Sequence, residues 1–211
     1  MTAIRHHIPE PMLAAYATGT LPHAFSVVVA AHISLSEESR AVVEAHETVG
    51  GLVLEDACAA DVPVAMKTSV MAMLDDPIPE TPSFHGSSPY PAPVMALLKG
   101  AEPRWKTLGM GVRQDILASD KHGSVRLLYI PPGQAVPDHG HNGLEMTLVL
   151  QGSFSDETGT FGVGDVEMAD ETLEHTPVAA PGSPCICLAA TDARLRFNAF
   201  MPRLLQPIFR I

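Results

Sequence analysis

The chain has 211 residues, 46% of them hydrophobic, and 24 acidic against 13 basic residues leave a formal charge of −11. That balance argues against direct DNA or RNA binding, where lysine and arginine supply most of the affinity, and it suits a basic partner. Cys58, Cys185 and Cys187 are too few for a disulfide framework and fit a reducing compartment. The longest apolar stretch, Phe25 to Leu35, is too short for a bilayer, and the N-terminus lacks the pattern of a signal peptide. A cytoplasmic protein without a membrane segment is expected.

In chain order, the first elements read as helices. Pro11 to Ala17 forms a short one, with Leu13, Tyr16 and Ala17 on one face and Gly19 as its stop. A second begins near Pro22, with Phe25, Val28, Val29 and His32 as one stripe. Ser34-Leu35-Ser36-Glu37 has the form of a capping box and opens a third helix through Val42, Val43, His46 and Val49. Pro63 to Leu74 supplies a fourth, with Met66, Val70, Met73 and Leu74 as its apolar side. Residues 1–76 therefore read as a helical domain. Six prolines between Pro77 and Pro93, with Gly86 and several serines, make residues 77–93 a linker.

Beyond the linker the period falls to two. Candidate strands are Arg104–Leu108, Val112–Leu117, Ser124–Ile130, Glu145–Leu150, Val166–Ala169, Cys185–Ala190 and Leu195–Phe200, separated by glycine and proline turns. The expected class is α+β and multidomain: a small all-α N-terminal domain, then an antiparallel β-barrel of jelly-roll type over residues 94–211. Cys185 and Cys187 share one face of a strand, where packing as small hydrophobes is favoured over a strained i, i+2 disulfide.

The strongest chemical signal is Gly133-Gln-Ala-Val-Pro-Asp-His139-Gly-His141-Asn-Gly-Leu-Glu145, closing at Gly152. On a strand, His139 and His141 leave by the same face, and Glu145 keeps that parity unless Gly143 bends the chain. Two imidazoles and a carboxylate inside a barrel make a metal site, and His175 is the best remaining candidate for a fourth ligand. Three imidazoles and one carboxylate suit zinc, iron, manganese or nickel.

That stretch resembles the first cupin motif, Gly-x5-His-x-His-x3-Glu-x6-Gly, at every fixed position. The second motif, aligned from Gly164, delivers His175 to the histidine position, while Asp170, Thr172 and Ala179 replace the family's proline, glycine and asparagine. The resemblance implies a single cupin barrel and one divalent metal, zinc first, held by His139, His141, Glu145 and His175.

The helical part carries a second resemblance. Arg5-His6-His7, Leu13-Ala-Ala-Tyr16-Ala-Thr-Gly19-Thr-Leu21 and Val29-Ala-Ala-His32-Ile-Ser-Leu-Ser36-Glu-Glu-Ser39-Arg40 are similar to the zinc-binding anti-sigma domain. With the barrel and Cys185-Ile-Cys187-Leu-Ala-Ala-Thr-Asp192, the whole chain is similar to the ChrR-type anti-sigma factors. The resemblance implies a regulator of transcription in stress responses, one that holds an extracytoplasmic-function sigma factor through residues 1–76 and keeps it from core RNA polymerase.

That family's metal motif is His-x3-Cys-x2-Cys with a further histidine near the N-terminus. Here His32 is in place and His6 or His7 is available, but Ser36 and Ser39 stand at the thiolate positions. A serine hydroxyl is a weak zinc ligand, so this second site is expected to be weak or empty. Charge agrees with the partner class, since residues 1–76 hold ten acidic and three basic residues.

Two rival readings are a metal-dependent cupin enzyme of dioxygenase type and a metal-binding cupin with a degenerate helical domain. For the enzyme, Glu174 and Asp138 are the nearest acid or base, and no residue is assigned as catalytic. A homodimer is left open.

Overall fold

Proline opens four of the five helices among the described residues. In the structure, a computed structural model describing residues 3–77, 89–193 and 195–197, the helices are α1 (Glu10–Ala17), α2 (His23–Leu35), α3 (Glu37–Glu55), α4 (Val64–Met73) and α5 (Ala92–Leu98). Pro9, Pro22, Pro63 and Pro91 occupy the N-cap positions of α1, α2, α4 and α5, with φ between −56° and −61°. The pyrrolidine ring sets that angle and offers no N–H to leave unpaired.

The third helix is the exception, and it corrects the expected cap. Ser34 is still inside α2, where its hydroxyl donates back to the Ala31 carbonyl at 2.6 Å. Ser36 has the extended backbone of an N-cap, and its Oγ accepts from the Ser39 N–H at 3.2 Å. The helix therefore starts two residues later than a Ser34 box would place it.

Twelve strands follow among the described residues: β1 (Lys106–Gly109), β2 (Val112–Asp120), β3 (Gly123–Ile130), β4 (His139–His141), β5 (Glu145–Gln151) and β6 (Ser153–Ser155). The remainder are β7 (Thr160–Gly162), β8 (Val166–Ala169), β9 (Glu174–His175), β10 (Val178–Ala179), β11 (Cys185–Thr191) and β12 (Leu195–Phe197). They form a six-stranded sheet in the order β1-β2-β3-β11-β5-β8 and two three-stranded sheets, β10-β6-β7 and β12-β4-β9. All pairings are antiparallel.

The seven expected strands are present, with Leu195–Phe200 observed through Phe197 and its last three residues outside the described part. Strands β6, β7, β9 and β10 and helix α5 were not expected. Two or three residues are too few for alternation to register, and α5 starts in the last two residues of the proline-rich stretch read as linker and runs into the part read as barrel. Most of that stretch, residues 78–88, also lies outside the described part.

The central strands show which surfaces the sheet covers. On β5, Met146, Leu148 and Leu150 face one hydrophobic cluster and Val149 faces another. On β11, Ile186, Leu188 and Ala190 belong to the first cluster, Cys185 and Cys187 to the second. The first cluster also contains Ala24, Phe25, Val27, Val28, Val29 and Ala31 of α2, which packs across β3, β5 and β11. The second lies inside the barrel with Val112, Ile130, Phe154, Phe161 and Ala179. The cysteines are free and buried there, with Sγ atoms 3.5 Å apart.

Helix α2 is thus buried more widely than its expected stripe, because the sheet takes one side while α3 and α5 take others. Each large apolar side chain so covered contributes roughly 1.5–3 kcal/mol. Inside the barrel, the second apolar cluster shares the space with the buried histidines of β4 and β9.

Candidate metal centre

Pairing between β4 and β9 sets the geometry of the centre. His139 and His141 alternate onto one face of β4, and His175 on β9 is the direct cross-strand partner of His139. All three rings are buried, and one nitrogen from each falls within 4.8 Å of the others. The Nε2 of His175 is 3.2 Å from Nε2 of both His139 and His141.

Two of the rings have a fixed orientation. His139 Nδ1 donates to the Pro137 carbonyl at 2.9 Å, which turns its Nε2 lone pair inward. Burial lowers the basicity of that ring. His175 Nδ1 donates to Asp156 Oδ2 at 2.6 Å and lies 3.3 Å from Glu167 Oε1. Burial alone would lower His175, but Glu167 and Asp156 outweigh it and push the ring up to about 9. Three convergent imidazole nitrogens in a buried site, two with Nδ1 committed elsewhere, are a donor set that fits a divalent metal.

Glu145 is not drawn into that group. It opens β5 on the neighbouring sheet, its Oε1 accepts from Thr147 Oγ1 at 3.1 Å, and its Oε2 lies 3.8 Å from His141 Nδ1. The chain does bend at Gly143, and only glycine fits there, because a Cβ would collide with the Asp192 carboxylate. That same carboxylate accepts the Leu144 N–H at 2.8 Å.

Sequence reasoning missed Asp156 and Glu167. Both are close to His175, and together the three make a second group of ligand-type atoms. Burial raises Asp156, but hydrogen bonds led by Glu167 and Thr158 outweigh it and hold the carboxyl well below its usual range. Burial pushes Glu167 up to about 7. The available signal was a carboxylate at an inward position of the otherwise apolar Val166–Ala169 strand.

The N-terminal set has different chemistry. His7, His32, Ser36 and Ser39 come together, whereas His6 packs tilted against Phe161, ring centroids 4.5 Å apart. The Gly164 carbonyl can only accept, so His32 Nδ1 donates to it at 3.0 Å. Burial pushes His32 down to about 4, so the ring is neutral and its Nε2 accepts from Ser39 Oγ at 2.9 Å. Ser36 Oγ and Ser39 Oγ lie 3.4 and 3.5 Å from His7 Nδ1. With both His32 nitrogens engaged and two neutral hydroxyls in place of thiolates, this set does not fit a zinc ion.

One further surface stands out. The C-terminal half of α3 and all of α4 expose Leu52, Val53, Leu54, Val64, Met66, Val70, Met71 and Met73, with Leu54 at 74% and Val64 at 82%. Helix α4 buries none of its residues. The side of α4 expected to be a core face therefore has no partner within the described residues. No described helix is long and apolar enough to cross a membrane.

Comparisons with known proteins complete the description. Residues 94–194 match the family model of the ChrR cupin-like domain. The chain is 54% identical over 211 residues to the anti-sigma-E factor ChrR of Cereibacter sphaeroides, covering 99% of both. It also matches the crystal structure of Rhodobacter sphaeroides SigE in complex with the anti-sigma ChrR, at 52% identity and a TM-score of 0.80. That match covers 90% of this chain and all of the other.

Proposed function

Because the chain belongs to the ChrR anti-sigma factors, we propose that it holds an extracytoplasmic-function sigma factor through residues 1–76 and keeps it from core RNA polymerase. The observation that carries this reading is the uncovered apolar face of α3 and α4. Exposed apolar side chains in such number mark a protein interface, and the acidity of residues 1–76 suits a partner with a basic DNA-reading surface. Such a role belongs in the cytoplasm and is regulatory, not catalytic. Glu174 and Asp138, the acid and base of the enzyme reading, are both exposed.

The barrel is proposed to bind one divalent metal, zinc before iron, manganese or nickel. His139, His141 and His175 would hold it through their Nε2 atoms, with Glu145 as the fourth donor. Bound there, the cation would cross-link β4 to β9. The N-terminal set is proposed to bind none, so sigma binding rests on helix packing.

Coexpression with the cognate sigma factor tests the reading. A stable complex on gel filtration and inhibition of transcription by that sigma factor are expected. Leu54→Asp combined with Met66→Asp should weaken the complex at least tenfold while leaving the metal content of the chain unchanged. A complex indifferent to both substitutions would remove α3 and α4 from the interface.

A further inference from the structure

Residues Gly164 to Glu167 touch the histidine cluster with one end and the N-terminal region with the other. The Glu167 carboxylate points into the barrel and, with Asp156, fixes His175 Nδ1. Val166 points out of the barrel, into the cluster shared with α2, and its N–H donates to the His6 carbonyl at 2.9 Å. Asp165 Oδ1 accepts the backbone N–H groups of Arg5 at 2.6 Å and His6 at 2.9 Å, and its Oδ2 accepts from Gly162 N–H at 2.8 Å. The Gly164 carbonyl accepts from His32. At Gly164 φ is +91°, and a Cβ would come within 2.7 Å of Ile4, so the N-terminal segment is seated directly on this backbone.

We propose that Asp156 and Glu167 are positioning residues of the metal centre, and that the adjoining Gly164–Val166 segment links that centre to the docking of residues 4–8 and His32. The proposal rests on the metal reading above. Four consecutive residues cannot shift independently in a turn closed by the Asp165 N–H on the Gly162 carbonyl and tied to Val149 by the Gly164 N–H and the Asp165 carbonyl. A cation held at His175 Nε2 makes its Nδ1–H a stronger donor to Asp156 and Glu167, which tightens those supports and with them the segment clasping the N-terminus. By linkage, the same factor by which zinc strengthens docking is the factor by which docking strengthens zinc binding.

The test uses the full chain and zinc alone. Zinc affinity is measured by competition with a chromophoric chelator, and hydrogen exchange is followed at the amides of Arg5, His6 and Val166. Zinc is expected to slow exchange at these amides at least fivefold. Asp165→Ala, remote from the three histidines, should weaken zinc binding threefold to tenfold and abolish the zinc effect on Arg5 and His6. Asp165→Asn, which keeps the Oδ1 acceptor, should recover most of both and serves if the alanine variant does not fold. Val163→Ala, in the same turn but exposed, should change neither. Zinc binding that leaves the Arg5 and His6 amides untouched overturns the linkage alone, as does a zinc affinity within twofold of the unsubstituted chain in the alanine variant. Failure of the unsubstituted chain to bind zinc overturns the metal reading and the linkage together.

Discussion

Two buried histidines, one in each half of the molecule, are used in opposite ways. His32 spends both nitrogens, donating to a backbone carbonyl and accepting from a hydroxyl. His175 gives Nδ1 to two carboxylates and turns Nε2 toward two other imidazoles. A neutral partner at each nitrogen makes the first ring a neutral structural pin. Anionic partners at one nitrogen make the second a basic ring poised for a cation. The outer hydrogen-bond partners, more than the histidine itself, decide what each site can hold.

The largest effect comes from reversing that contrast. Ser36→Cys with Ser39→Cys would place two thiols in the cluster with His7 and His32. Metal analysis should then rise from one to two zinc ions per chain, with a gain in apparent stability on the order of 10 kcal/mol. An unchanged content of one would show that the hydroxyls were not what kept the site empty. Two ions in the unsubstituted chain would break the comparison outright.

Next in size, His175→Ala should lower zinc affinity by roughly a hundredfold or more, while His32→Ala leaves stoichiometry at one. His32→Ala should instead cost about 3 kcal/mol in denaturant unfolding, since it opens a cavity and strands the Gly164 carbonyl and the Ser39 hydroxyl. Equal loss of metal in both variants would erase the distinction.

The smallest effect is in acid. His32 has an ordinary value of 6.5 and is pushed down to about 4 by burial, so the unfolded chain takes up the proton first. Its contribution is whole above pH 6.5 and is lost as the pH falls toward 4, amounting to about 2 kcal/mol at pH 5. His32→Gln should flatten that part of the pH profile of stability. An unflattened profile would assign the acid loss to other groups.

Much of this was legible in the residues. The β4 histidines follow from strand parity and the β5 and β11 strands from their composition, because with α2 outside and the barrel core inside, both faces had to be apolar. Elements of two or three residues were not legible, since alternation needs more length to show. The Ser34 cap misled because a serine at the end of one helix and another at the start of the next look alike until the backbone turn between them is known. Glu145 has the right spacing, and which way its carboxylate turns, with Oε1 on Thr147 and Oε2 toward His141, is a side-chain direction that spacing alone does not carry. Asp156 acts on His175 across 19 residues of chain, a separation that no local pattern encodes.

Helix α2 also bears on how the molecule can be divided. A chain cut after the helices keeps every barrel strand but bares Val125, Leu127, Met146, Leu148 and Leu188, all buried beneath α2 in the intact protein. Such a fragment would present a flat apolar sheet to water and self-associate. The barrel's solubility is therefore lent to it by a segment that a sequence-drawn domain boundary assigns to its neighbour.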